Sequence, residues 1–373
     1  MIGTRSLILL IIAVFLKQLA WMIFIPLWQT PDEQAHFSQV QNFAETASTN
    51  PFPVNLSREI WTSEIVLGTN RDDLGNNKYT YHPEFNSSYS DSLVGPSEKL
   101  IADTPKGFRT EYVRNEGTWY PPAYYFLSSQ VYQIVGQGSL FDRVFATRFL
   151  SVLEMVVLTY VSYLIGRQLF QKEFCALALA TIIGFQPMLT FVHAGVTSDT
   201  LFNLLFSIFL WRCLILIKNG LSIKPLLWIA LVIIVSLWTK PQANIMAFIV
   251  IPLFVTLFFL QKTKNIKLFL TVLIIIVLSC LGIVARLRGG ASFFPETENL
   301  KALSFTLPAV IEHLKFTLNH TYREVLPWYW GVFRWLSLGL PAVLRKLTNW
   351  LTILSFVGFG YYLVSRARTK NFS

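Results

Sequence analysis

The stretch Thr30-Pro31-Asp32-Glu33-Gln34-Ala35-His36-Phe37 sets two adjacent carboxylates and an imidazole just beyond an apolar run, residues 6–28. That run is broken only by Ser6, Lys17 and Gln18, and it is long enough to cross a bilayer. The acids therefore stand where the chain leaves the membrane. Thr30 reads as a helix N-cap, Pro31 as the first helical residue and Glu33 as the partner closing a capping box. His36 falls on the same helical face as Asp32, four residues earlier, and Glu33, three earlier. A carboxylate so placed can take the proton of an attacking hydroxyl. Phe37, Val40 and Ala44 form a narrow apolar stripe, as expected of a helix lying along the membrane surface.

The rest of the chain must position these groups, and its composition says how. It is 53% hydrophobic and 14% charged, well below the roughly 25% charged residues of an ordinary soluble domain. With several apolar runs near 20 residues, it reads as one all-α polytopic membrane domain over residues 1–373, with an uncleaved first span. Further spans are expected near 145–166, 174–193, 200–217, 226–239, 242–260, 267–285 and 347–365, giving about eight in all. Cys175, Cys213 and Cys280 are isolated and read as packing residues.

The formal charge of +10 is carried largely by short connections: Arg167 and Lys172; Lys218 and Lys224; Lys262, Lys264 and Lys267; and Arg366, Arg368 and Lys370. This is the positive-inside pattern, and no nucleic-acid partner is expected. It is repeated on one side only if residues 121–136 form an interfacial or re-entrant helix. Residues 29–144 then make a first extracytoplasmic loop, polar over 46–118, and residues 286–346 the last extracytoplasmic segment.

That face collects further groups. Asp199 stands where a span begins, with N-capping as its plain role. Lys240-Pro241 lies at an outer turn, costly for a charge without an anionic partner. Arg286 and Arg288 follow a span on the side where cations are rarer, and phosphate recognition needs such donors. Arg148 opens another span. Trp330-Gly331-Val332-Phe333-Arg334-Trp335 reads either as an interfacial aromatic belt or as a wall against a lipid or sugar.

Carboxylates, cations and aromatics beside a membrane fit a substrate with an anionic head and an apolar tail, as in a polyprenyl-phosphate sugar. The sequence has neither a P-loop nor a dinucleotide glycine fingerprint. The order of features resembles the GT-C superfamily of membrane glycosyltransferases, which includes protein O-mannosyltransferases and aminoarabinose lipid A transferases. The runs Pro31–Phe37, Tyr120–Tyr125 and Trp330–Trp335 more closely resemble a GT-C-like family of bacterial membrane proteins known only as a domain of unknown function.

The resemblance implies an inverting glycosyltransferase in the bacterial cytoplasmic membrane, its site on the extracytoplasmic face. It would carry a sugar from a polyprenyl-phosphate donor to a glycan, lipid or protein acceptor. Asp32 matches the first-loop catalytic acid, Glu33 its neighbour and Asp199 the acid of the second outer loop, with Arg148 a looser match. His36, Arg148, Lys240, Arg286, Arg288, Tyr124, Trp330 and Arg334 are the expected substrate contacts. A divalent cation held by the three acids is an option, not a requirement. Two other readings stay open: a transporter or flippase for a lipid-linked sugar, and a non-catalytic subunit of a glycan-assembly complex.

Overall fold

A computed structural model describes residues 2–46, 55–72, 74–85, 91–115, 121–260 and 307–368, with isolated positions between 267 and 277. Arg286, Arg288, Cys280 and most of the span expected at 267–285 lie outside the described residues. The chain falls into two compact units, Met1–Lys78 with Ser87–Phe293, and Tyr79–Asn86 with Phe294–Ser373.

The first unit is built on α1 (Ile2–Phe24) and α6 (Leu140–Leu169). At 1.5 Å per residue, 23 residues reach about 35 Å, enough for the hydrocarbon layer. Helix α6 starts at a true capping box, Ser139 with Asp142, and packs against α1, α7 (Glu173–Gly184) and α9 (Ser198–Asn219). Gly166 lets α7 come close, since a Cβ there would lie 2.6 Å from Ala176 Cα. Two shorter apolar helices follow, α10 (Ile223–Leu237) and α11 (Asn244–Leu260). Four described helices are long and apolar enough to cross a membrane: Thr4–Phe24, Leu140–Leu169, Ser198–Asn219 and Ala342–Ser365. The chain is thus a mostly helical membrane protein with few strands among its described residues.

The continuous span expected at 174–193 is instead two helices. Helix α7 stops at Gly184, and α8 (Pro187–Val192) restarts after Gln186, whose side chain accepts the Leu189 N–H at 2.5 Å. Pro187 has no N–H to continue α7, and a first helical position suits it. Lys17 of α1 fastens the break, donating to Gly184 O and to Thr190 Oγ1, each at 2.7 Å.

The polar loop after α2 (Glu33–Thr46) is folded in its described parts. Strand β1 (Asn55–Ser57) pairs antiparallel with β2 (Tyr112–Asn115), enclosing α3 (Arg58–Leu67) and α4 (Asp91–Ala102). Helix α5 (Ala123–Ile134) has 12 residues, too short to cross, and buries Tyr124, Tyr125 and Tyr132 in the first unit. Trp28, Phe37, Val40, Leu56, Ile60, Val144 and Val196 complete that core. Each such aliphatic or aromatic side chain contributes about 1.5–3 kcal/mol by leaving water. Loop and helices are tied by Glu59, which accepts from Arg143 Nη2 at 2.5 Å, Arg143 Nη1 at 3.0 Å and Gln41 Nε2 at 2.6 Å.

In the second unit, α12 (Leu307–His320) runs through a π turn, Thr321–Val325, into α13 (Leu326–Trp330). The segment read as extracytoplasmic connection is therefore helical for much of its described length. A two-residue ribbon, β3 (Val332–Phe333) with β4 (Leu338–Gly339), precedes α14 (Ala342–Arg368).

Candidate functional site

The site grows from the way α1 ends. Trp28 and Asp32 both take positive φ, +61° and +54°, and they turn the chain sharply into α2. Helix α2 begins at Glu33, and the Asp32 carbonyl accepts the His36 N–H at 3.0 Å. The expected capping box between Thr30 and Glu33 does not form. Glu33 instead accepts from Arg148 Nε at 2.7 Å and Arg148 Nη2 at 2.6 Å, and from the N–H groups of Val196 and Trp28, each at 3.1 Å. Arg148 spends its other N–H groups on carbonyls at the end of α1: Met22 at 3.2 Å, Ile25 at 2.6 Å and Pro26 at 3.0 Å. All five guanidinium donors are used, and neither side chain is exposed. A buried carboxylate is tolerated only when paired in this way, which is why Glu33 does not reach back to cap its own helix. Gly195 lets the α8–α9 connection pass against this turn, because a Cβ there would lie 2.1 Å from Thr30 Oγ1.

One turn into α2, His36 is buried with its ring between two hydroxyl groups. Its Nδ1 lies 2.6 Å from Tyr125 Oη and its Nε2 3.2 Å from Thr197 Oγ1. Burial pushes the imidazole down to about 4. The charges of Asp32 and Asp199 oppose that shift, while Lys240 and Arg71 reinforce it. A neutral histidine is thus surrounded by two acid–cation pairs.

In the first pair, Arg71 Nη1 donates to Asp32 Oδ1 at 2.9 Å, the arginine 8% and the aspartate 48% exposed. In the second, Lys240 Nζ donates to Asp199 Oδ1, the lysine 15% and the aspartate 41% exposed. Each pair keeps its cation inside and its carboxylate at the surface. Asp199 is not the N-cap of α9: Thr197 is, with its Oγ1 accepting the Asp199 N–H at 3.3 Å. A threonine one residue before the helix frees the aspartate for Lys240. Thr197 Oγ1 also lies 3.4 Å from Asp199 Oδ2, so its single proton can go to the imidazole or to the carboxylate. Tyr124 is fully buried, and its Oη accepts the Thr197 N–H at 3.0 Å.

Asp32, His36, Tyr124, Asp199 and Lys240, expected from the sequence, thus share one neighbourhood in the first unit. Glu33 and Arg148 lie beneath it in a closed pair. Arg71, Tyr125 and Thr197 were not singled out. Arg71 is one arginine in a polar loop, and only its pairing with Asp32 distinguishes it. Thr197 could have been found as a capping residue ahead of an apolar run. Among the described residues, no group of three His, Cys, Asp or Glu side chains is arranged to hold a metal ion. Of the three acids proposed as ligands, Glu33 is committed to Arg148.

Trp330 and Arg334 belong to the second unit and have local partners there. Trp330 Nε1 donates to Thr352 Oγ1 at 3.0 Å. Arg334 donates to Ser337 Oγ at 3.0 Å and to Pro83 O at 3.3 Å, with its guanidinium 5.3 Å from the centre of the Tyr79 ring.

A family model described as a predicted membrane protein (DUF2142) matches residues 15–370. No curated protein matches the chain.

Proposed function

The chain belongs to the DUF2142 family of predicted membrane proteins, and on that premise we propose that it is an integral-membrane glycosyltransferase. It would transfer a sugar, with inversion, from a polyprenyl-phosphate donor to an extracytoplasmic acceptor. The observation that carries this reading is the pair of exposed carboxylates, Asp32 and Asp199, each backed by a buried cation around neutral His36. An exposed carboxylate beside a cation is suited to taking an acceptor's proton while the cation meets the charge growing on the leaving phosphate. Asp32 is assigned as the base, Arg71 and Lys240 as phosphate contacts, and Asp199 as the group that aims Lys240. Glu33 and Arg148 act as positioning residues.

Orientation supports the extracytoplasmic assignment. Arg167 and Lys218 lie near the ends of α6 and α9, opposite the ends that carry Arg148 and Asp199. Basic groups favour the cytoplasmic side, which leaves the candidate site outside.

The test is sugar transfer in membranes containing the chain, with a panel of radiolabelled polyprenyl-phosphate sugars. The native protein is expected to consume one donor, and Asp32→Asn to accumulate normally yet lose transfer. Normal transfer by Asp32→Asn overturns the base assignment. A second reading, a transporter for a lipid-linked sugar, is favoured by the α7–α8 break with Lys17 bound into it, because interrupted helices and buried charges recur in transporters. It expects movement of the intact lipid-linked sugar between leaflets and no transfer.

A further inference from the structure

Helix α6 carries a second carboxyl that the site does not use. Glu154 lies one turn beyond Ser151 in the 30-residue span and is 5% exposed, and among the described residues no hydrogen bond of ordinary geometry reaches either of its buried oxygens; the neighbouring Thr200 hydroxyl donates to Thr197 O at 2.8 Å. Two other buried carboxylates, Glu33 and Glu59, are each held by an arginine. An unpaired carboxylate is costly to bury in a spanning helix, and a bound proton removes that cost.

The neighbourhood connects this group to the site. On α5, the Tyr124 phenol is pushed up by burial and pushed further by the charge of Glu154. Tyr124 Oη accepts the Thr197 N–H at 3.0 Å, and Thr197 Oγ1 lies 3.2 Å from His36 Nε2. The Tyr124 hydroxyl is thus bonded to Thr197 and lies in the field of Glu154. Other titratable groups on elements packed against this part of α6 are Asp199 on α9, Lys17 on α1 and His193 after α8. Lys17 is engaged with Gly184 and Thr190, Asp199 with Lys240, and His193 Nδ1 with Ser151 O at 3.2 Å.

We propose that Glu154 is a proton-binding site within the membrane-spanning part of the chain, coupled through Tyr124 and Thr197 to His36. The carboxylate takes one proton to become the acid. Ionised, its charge holds the proton more tightly on the Tyr124 hydroxyl; protonated, it no longer exerts that field. Proton occupancy at Glu154 is thereby felt at Thr197, one hydrogen bond from the imidazole. This holds whether the site transfers a sugar or transports one, so its failure is separate from failure of the reading above.

The test uses the native full chain in membranes and dicyclohexylcarbodiimide, an apolar reagent that adds to protonated carboxyls buried in lipid. Peptide mass mapping distinguishes Glu154 from Cys213 and from surface acids. The Glu154 peptide is expected to gain one reagent molecule at about pH 5, with labelling falling about tenfold per unit once pH passes the midpoint. Tyr124→Phe should keep the label and move that midpoint. An unlabelled Glu154 peptide at about pH 5, or equal labelling up to about pH 9, overturns the proton site. An unmoved midpoint in Tyr124→Phe overturns the coupling.

Discussion

Glu33 and Arg148, 115 residues apart in the chain, form a bidentate pair with neither side chain exposed, and the same arginine closes the end of α1. One guanidinium thus fixes where the first span stops and where α2 begins. Removing one partner leaves a buried, uncompensated charge, which costs about 3–5 kcal/mol. Glu33→Gln and Arg148→Met are therefore expected to lower the unfolding temperature in detergent sharply and to reduce accumulation. Arg148→Lys should also fail, because an ammonium cannot supply five donors in a planar fork. If any of these variants unfolds at the native temperature, the pair is not what holds the turn.

Arg71 and Lys240 make a different prediction, since each sits beside a surface carboxylate. As phosphate contacts they should matter more for the reaction than for the fold. Arg71→Gln and Lys240→Gln are expected to accumulate normally and to lose about a hundredfold in kcat/KM with a polyprenyl-phosphate donor. Equal kcat/KM in both variants and the native chain would remove the phosphate role from these cations.

His36 gives the chain a stability that depends on pH, with a definite sign. In the unfolded chain its imidazole takes up a proton near pH 6.5, whereas in the fold it does so only at about 4. Over that window the unfolded state binds more protons, so this contribution is complete above about pH 6.5 and is lost as pH falls through 4. The full difference is about 3 kcal/mol. Unfolding of the native chain and of His36→Gln, compared at about pH 7 and pH 4, should show the native chain losing more stability on acidification. Equal losses would mean that His36 is not held neutral by burial.

The sequence by itself determined the membrane class and the long spans at α1, α6, α9 and α14, and it set Asp32, His36, Asp199 and Lys240 beside the ends of apolar runs. Apolar runs report burial in lipid directly, and polar residues beside them mark where the chain emerges. What Glu33 does could not be read in the same way. Its capping-box spacing was a valid local option, but Arg148 and the N–H groups of Trp28 and Val196 meet it only once α1, α2, α6 and the α8–α9 connection are packed. The interruption of 174–193 was half visible: Pro187 stood in the sequence, yet the run around it stayed apolar, and only Lys17 arriving from α1 shows that the break is held. Arg71 carried no local signal, and Glu154 stood out only as a single acid inside an apolar run. Their meaning lies in what folding brings beside them, a surface aspartate for one and, among the described residues, no cation for the other, and pairing of charges is a property of three-dimensional proximity, not of spacing along the chain.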